Sequence, residues 1–168
     1  MSPVSHGTSE RRDGDHWLLH IAPHVAHAYE TVWQALTTPE GLHGWLAEAE
    51  TLERHLGGAV TLHWPDPDTR ASGQVTAWDV ERVAEYTFPV HGRMRFHLEP
   101  LGTDSTLIRF TAELHGDGSY ALDRLAGWHD HFLLLEDYLE GHPVYWPTWT
   151  PSRRTALRTE YAAQLQPH

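Results

Sequence analysis

Residues 120–140 carry an unbroken helical signal that stops at Gly141 and Pro143. Leu125, Trp128, Phe132, Leu135 and Leu139 recur there at steps of three and four, the spacing of one apolar helix face. A helix of about 21 residues is roughly 30 Å long, so this stripe needs a partner surface of similar length. Residues 48–114, just upstream, supply one. They contain no convincing helix and read as short runs rich in β-branched and aromatic residues, punctuated at Gly57-Gly58 and near residues 65–68, 79–82, 90–92 and 101–105. The last two runs place Met94, Phe96 and Leu98, then Ile108, Phe110, Ala112 and Leu114, on one side. Six successive strands with short links imply an antiparallel meander, and the helix has a sheet to lie on.

The N-terminal third completes the layer. Between residues 15 and 25, Trp17, Leu19, Ile21 and Val25 alternate with His16, His20 and His24, which predicts a half-buried strand with its histidines toward water. Val32, Trp33 and Leu36 then switch to helical spacing, and Thr38-Pro39 restarts a second short helix, Thr38 as cap and Pro39 in the first turn, ending near Trp45. Ser119 is a candidate cap for the long helix. Residues 1–14 are polar and aperiodic and read as a disordered tail. The domain is expected over residues 15–141. Residues 142–168 form an aromatic linker and a last helix, with Tyr145, Trp146, Trp149, Leu157, Tyr161 and Leu165. That surface is too apolar to leave in water, so it is expected to pack on the domain or on a partner subunit, the latter giving a homodimer.

Composition closes several doors. The chain has 168 residues and no cysteine, so one domain is expected and neither a disulfide nor a thiol nucleophile is available. All 12 basic residues are arginine; without lysine there is no Schiff base and no phosphate-loop lysine. A net charge of -11 disfavours nucleic acid and anionic membrane as partners. No apolar run approaches the ~18 residues of a membrane span, and the N-terminus shows no apolar core of a signal peptide, so a cytoplasmic location is expected. Hydrolase elbows, zinc-protease helices, phosphate loops and dinucleotide fingerprints are absent from the sequence.

Among the 15 histidines, His129-Asp130-His131 looks most like a ligand set. On a helix, however, positions 129 and 131 point about 200° apart and cannot share an ion. No metal and no cofactor is therefore expected, and His131 is expected to face solvent.

The order of strand, two short helices, six-strand meander and long helix resembles the START-like, or SRPBCC, helix-grip fold. In particular, Val32-Trp33-Gln-Ala-Leu-Thr-Thr-Pro-Glu-Gly-Leu42, Trp45, Gly57-Gly58, Gly73-Gln-Val75, Leu98, Gly102-Thr103 to Thr106, and Gly127-Trp128 with Phe132, Leu135 and Leu139 are similar to the branch of the activator of the heat-shock-protein-90 ATPase. The match covers roughly residues 16–141. Val80 and Tyr86-Thr-Phe88 depart from it, standing where the family often has proline and tryptophan. The resemblance implies an α+β helix-grip fold, a curved antiparallel sheet of about seven strands around the long helix. It also implies an apolar ligand held between them. Its members include ligand carriers, aromatic polyketide cyclases and chaperone co-activators.

On that frame the candidate cavity residues are Trp45, Trp64, Trp78, Phe88, Phe96, Phe110, Trp128, His129 and Phe132, while Trp33 is expected to fill core. Aromatic walls with a few polar groups suit a small aromatic or polyketide-like molecule. His129 and Glu136 lie on one helix face, roughly 10 Å apart along the axis, and are the candidate acid–base pair if the cavity is that of a cyclase or hydrolase. The plainer reading leaves Glu136 solvated and gives His129 one hydrogen bond at the core edge. Arg95, His97 and Arg109 alternate with inward residues and are expected on the solvent face. A third reading is a chaperone or protein-interaction module that acts through its surface.

Overall fold

The computed structural model describes residues 4–65, 68–89 and 92–165. Parts of the turns expected near residues 65–68 and 90–92, the start of the expected N-terminal tail and the side chain of Leu165 lie outside the described residues. The strands are β1 (Thr8–Arg11), β2 (His16–Ile21), β3 (His24–Val25), β4 (Glu48–Leu52), β5 (Ala59–Trp64), β6 (Thr69–Asp79), β7 (Val83–Phe88), β8 (Gly92–Pro100) and β9 (Thr106–His115). The α-helices are α1 (Tyr29–Thr37), α2 (Pro39–His43), α3 (Gly118–Leu139) and α4 (Ser152–Leu165). This is an α+β helix-grip fold. One open antiparallel sheet runs β1-β2-β9-β8-β7-β6-β5-β4, with the short β3 added to β9. The β4–β9 meander is joined at β9 by β2, which sets the start of the fold beside the strand that leads into α3.

The period-two pattern decides which sheet face is covered. Phe96 and Phe110 stand opposite each other on β8 and β9, Leu98 opposite Ile108, and Met94 opposite Ala112; all six are buried. His97 and Arg109, also opposed, point to solvent, and Arg109 donates to Glu99 at 2.8 Å. The sheet bends around α3 through a bulge between Val75 and Ala77 of β6. At Gly73, also on β6, a Cβ would stand 1.9 Å from the Thr87 carbonyl oxygen, so only glycine permits that approach.

Capping fixes where the helices start. Thr38 accepts from the Gly41 amide at 3.0 Å with Pro39 in the first turn of α2, as the sequence suggested. The long helix starts earlier than expected. Asp117, not Ser119, is its cap, accepting from the Tyr120 amide at 2.8 Å; an Asp one residue before the first turn takes the amide that a serine inside that turn cannot reach.

Both termini depart from simple tails. Thr8–Arg11 is not disordered: it pairs with β2 along its whole length, and Val4 is buried. A polar strand gains order from the ladder of its neighbour, a contribution its own composition does not display. At the other end α4 lies along α3, with Leu157 and Tyr161 buried. The linker is tied to α2, since the Val144 amide donates to the Gly44 carbonyl at 2.9 Å and the Trp146 indole to the His43 carbonyl at 2.8 Å.

Candidate functional site

The space between sheet and α3 is filled at one end and hollow at the other. At the filled end Trp45 stacks on Phe132 at 5.8 Å, and Phe96, Phe110 and Phe132 meet one another within 6.4 Å. The Trp45 indole donates to the Ala35 carbonyl at 2.8 Å and the Tyr86 hydroxyl to the Leu36 carbonyl at 2.9 Å, so each buried polar atom there has a partner. Burial also raises the Tyr86 phenol pKa. This is solid core.

At the hollow end lies a cavity of about 290 Å³. In an antiparallel meander the end of one strand and the start of the next lie at the same end of the sheet. Trp64 from the end of β5, Phe88 from the end of β7, Met94 from the start of β8, and Ala112 and Leu114 from the end of β9 therefore converge there. Trp128 covers them from α3 and contacts Phe110 at 4.4 Å. The remaining wall is polar: Tyr120, Asp123, Arg124 and His131 of α3, Arg154 of α4, and Arg93 with Glu113 at the sheet.

Of the candidate cavity residues, Trp64, Phe88 and Trp128 line this space. Trp45, Phe96, Phe110 and Phe132 do not, because they fill the opposite end among themselves. Trp78 is elsewhere, edge-on to Trp33 at 5.0 Å with the Arg54 guanidinium 5.9 Å above its ring. His129 points to α4, where its Nδ1 is 2.7 Å from the Tyr161 hydroxyl. That hydroxyl also accepts from the Gly7 amide at 2.8 Å, so Tyr161 bridges the N-terminal segment and α3. Burial first, then the nearby His6, pushes the His129 pKa down to about 4. Glu136 does not line the cavity either. Its Oε2 is buried without a hydrogen-bond partner among the described residues, and desolvation raises its pKa. The suggested acid–base pair is therefore not assembled in the hollow.

His131 is the residue whose environment the sequence misplaces. It is buried and lines the cavity, and its Nδ1–H donates to the Trp45 carbonyl at 2.9 Å. Burial pushes its pKa down to about 4, with Arg124 and Arg154 acting in the same direction. Neighbouring Asp130 is buried too and pairs with Arg153 of α4. A helix with sheet on one side and a second helix on another has little solvent face left, so a two-sided reading of α3 fails. His129 and His131 serve different partners, as their angular separation requires.

Among the described residues one trio of side chains has the spacing to hold a metal ion, Glu48, Glu50 and His63. They sit at the far edge of the sheet, where Glu50 is already bonded to Arg70 at 2.9 Å and His63 to Asp68. No helix is long and apolar enough to cross a membrane.

The whole fold is similar to that of CalU16 from Micromonospora echinospora, with a TM-score of 0.72 at 17% identity over 94% of this chain and 96% of that one. It is also similar to the Aha1 dimer from Colwellia psychrerythraea, with a TM-score of 0.64 at 20% identity over 73% and 96%. DynU16, a putative protein in the dynemicin biosynthetic locus, matches with a TM-score of 0.65 at 22% identity over 77% of this chain and 49% of that one. No curated protein matches the sequence. Residues 26–140, more than half of the chain and nearly all of the grip from α1 to the end of α3, match one family along their length; the chain belongs to the START-like superfamily and, within it, to the family described as activator of Hsp90 ATPase homolog 1-like protein.

Proposed function

We propose that the chain is a binding protein for a small hydrophobic molecule, aromatic or polyketide-like, held between the sheet and the N-terminal half of α3. The observation that carries this reading is the cavity of about 290 Å³ walled by Trp64, Phe88, Met94 and Trp128. That volume sits at the lower edge of the roughly 300–1,000 Å³ usual for ligand sites, and aromatic walls with a few convergent polar groups are their usual lining. The likeness to proteins such as DynU16 supports the choice of a biosynthetic small molecule. The chaperone reading draws on the family description alone. The enzyme reading loses its named acid and base, since neither His129 nor Glu136 faces the hollow. The apolar face of α4 is buried against α3, so no second copy is needed to cover it. The cytoplasm is the proposed place of action.

Native mass spectrometry of the protein purified from its own host tests the reading. An adduct of small-molecule mass is expected on the wild type and should be absent from Ala112→Phe, which fills the hollow. A bare wild-type mass, with no uptake of added naphthamide, would sink it.

A further inference from the structure

The cavity wall carries an imbalance of charge that an apolar ligand alone would not need. Its two carboxylates are already engaged. Glu113 pairs with Arg93 and lies 2.9 Å from His16 Nε2. Asp123 lies 4.0 Å from Arg158, whose guanidinium also donates to the Ser119 hydroxyl at 2.8 Å. Arg124 and Arg154 have no such counterpart: among the described residues neither forms an ion pair or a hydrogen bond. They come from different helices and meet at Gly127, where a Cβ would stand 3.4 Å from Arg154 Cδ and 3.6 Å from an Arg124 terminal nitrogen. Both distances are ordinary van der Waals contacts, so the Arg154 stem and the Arg124 guanidinium lie over the same glycine. Arg124 is only partly exposed, and its burial lowers its pKa, with the Arg154 charge adding a smaller push in the same direction against the opposing pull of Tyr120 and Asp123.

Two guanidinium groups side by side and partly desolvated repel each other, and with no anion bonded to either they lack partners for their N–H donors; Asp123, the carboxylate felt by Arg124, is within ion-pair distance of Arg158 instead. Other surface arginines show the contrast, for Arg109 bonds Glu99 on the neighbouring strand β8 and Arg70 bonds Glu50 on β4, two strands away. The planar donor fork of arginine matches a carboxylate in two parallel hydrogen bonds. The adjoining wall, Trp64, Phe88, Met94, Trp128 and Leu114, has nothing to offer charge and suits an apolar body.

Resting on the small-molecule reading above, we propose that the ligand is an amphipathic organic acid: its hydrophobic body lies against Trp64, Phe88 and Trp128, and its carboxylate is held by Arg124 and Arg154. One anchor then comes from the helix-grip core and the other from α4, so the C-terminal helix completes the site.

Calorimetric titration with matched pairs tests this: naphthoate against naphthamide for an aromatic acid, decanoate against decanamide for an aliphatic one. In each pair the body is constant and only the charge differs. The wild type should prefer at least one acid over its amide by about tenfold to a hundredfold, the range expected for hydrogen bonds between charged groups, and added salt should narrow the preference. In Arg124→Gln/Arg154→Gln the preference should fall to within about twofold of parity, while amide binding persists and certifies the fold. Acids and amides binding alike to the wild type would overturn the acid assignment and leave the cavity reading standing, as would a preference that survives in the double variant. If neither member of either pair binds the wild type, both fall together. Should the double variant fail to fold, the wild-type preference and its salt dependence still decide.

Discussion

On the β8–β9 hairpin two cross-strand pairs sit one step apart and have opposite consequences. Phe96 faces Phe110, and with Phe132 and Trp45 they close the space completely. Met94 faces Ala112, and the space stays open. Two residues along a strand advance it by about 7 Å. In that distance a ring is exchanged for a methyl group, while α3 presents Arg124 and His131 in place of Phe132. The polar ends of those side chains cannot interdigitate as rings do. The hollow therefore arises from one small strand residue under a polar stretch of helix, and an abundance of aromatics does not create it.

The strongest way to break the contrast is to charge the solid end. Phe132 is fully buried among aromatic rings, and Phe132→Asp would bury a carboxylate with no partner. A loss above about 4 kcal/mol is expected, enough to unfold most domains of this size. Circular dichroism should show a chain unfolded or melting far below the wild type. An unchanged melt would mean that the supposed solid end yields as easily as the hollow one.

The next effect tests both sides of α3 through pH. His129 and His131 have folded pKa values pushed down to about 4, below the ordinary histidine value near 6.5. Between those limits the unfolded chain binds protons that the folded chain refuses, so stability falls as pH drops from about 6.5 toward 4. It is fully present above 6.5 and the loss levels off below 4. Each histidine contributes on the order of a few kcal/mol to this loss. Urea midpoints at stepped pH for His129→Gln and His131→Gln separate them, and each variant should flatten the acid slope. If only His129→Gln does so, water in the hollow is hydrating the His131 ring and the wall is wetter than the packing implies.

Most of the architecture is legible in the sequence because period and punctuation are local. The stripe of α3, the meander and the Thr38 cap all follow from neighbours within a few residues. The strand Thr8–Arg11 does not, since its order comes from β2 and its side chains are polar. His131 fails for a related reason: its burial depends on what packs on the remaining side of α3. Among the aromatics, Trp64, Phe88 and Trp128 line the hollow, whereas Trp45, Phe96, Phe110 and Phe132 are equally aromatic and fill core. The deciding partner, Ala112 opposite Met94, is a matter of register. Arg124 and Arg154 carry no motif at all. Thirty residues separate them in the chain, and only the packing of α4 on α3 makes them neighbours.

The smallest effect concerns whether seam and hollow are independent. The Tyr161 hydroxyl bridges the Gly7 amide and His129 Nδ1 at 2.8 and 2.7 Å, joining the N-terminal segment, α3 and α4, and burial raises its pKa to about 12. Tyr161→Phe keeps the ring against the edge of His129 but removes the bridge, leaving the part-buried Gly7 amide and the buried His129 Nδ1 unpaired. A loss of about 1–3 kcal/mol is expected, read as a lower urea midpoint with an unchanged slope. Tyr161 does not line the cavity, so naphthoate affinity measured well below the new midpoint should stay within about twofold of the wild type, the scatter expected for distant, uncoupled sites. The alternative outcome is as informative. Affinity that falls along with stability would mean that the seam sets the position of Arg154, and that α4 must be locked by Tyr161 before the hollow can hold an acid.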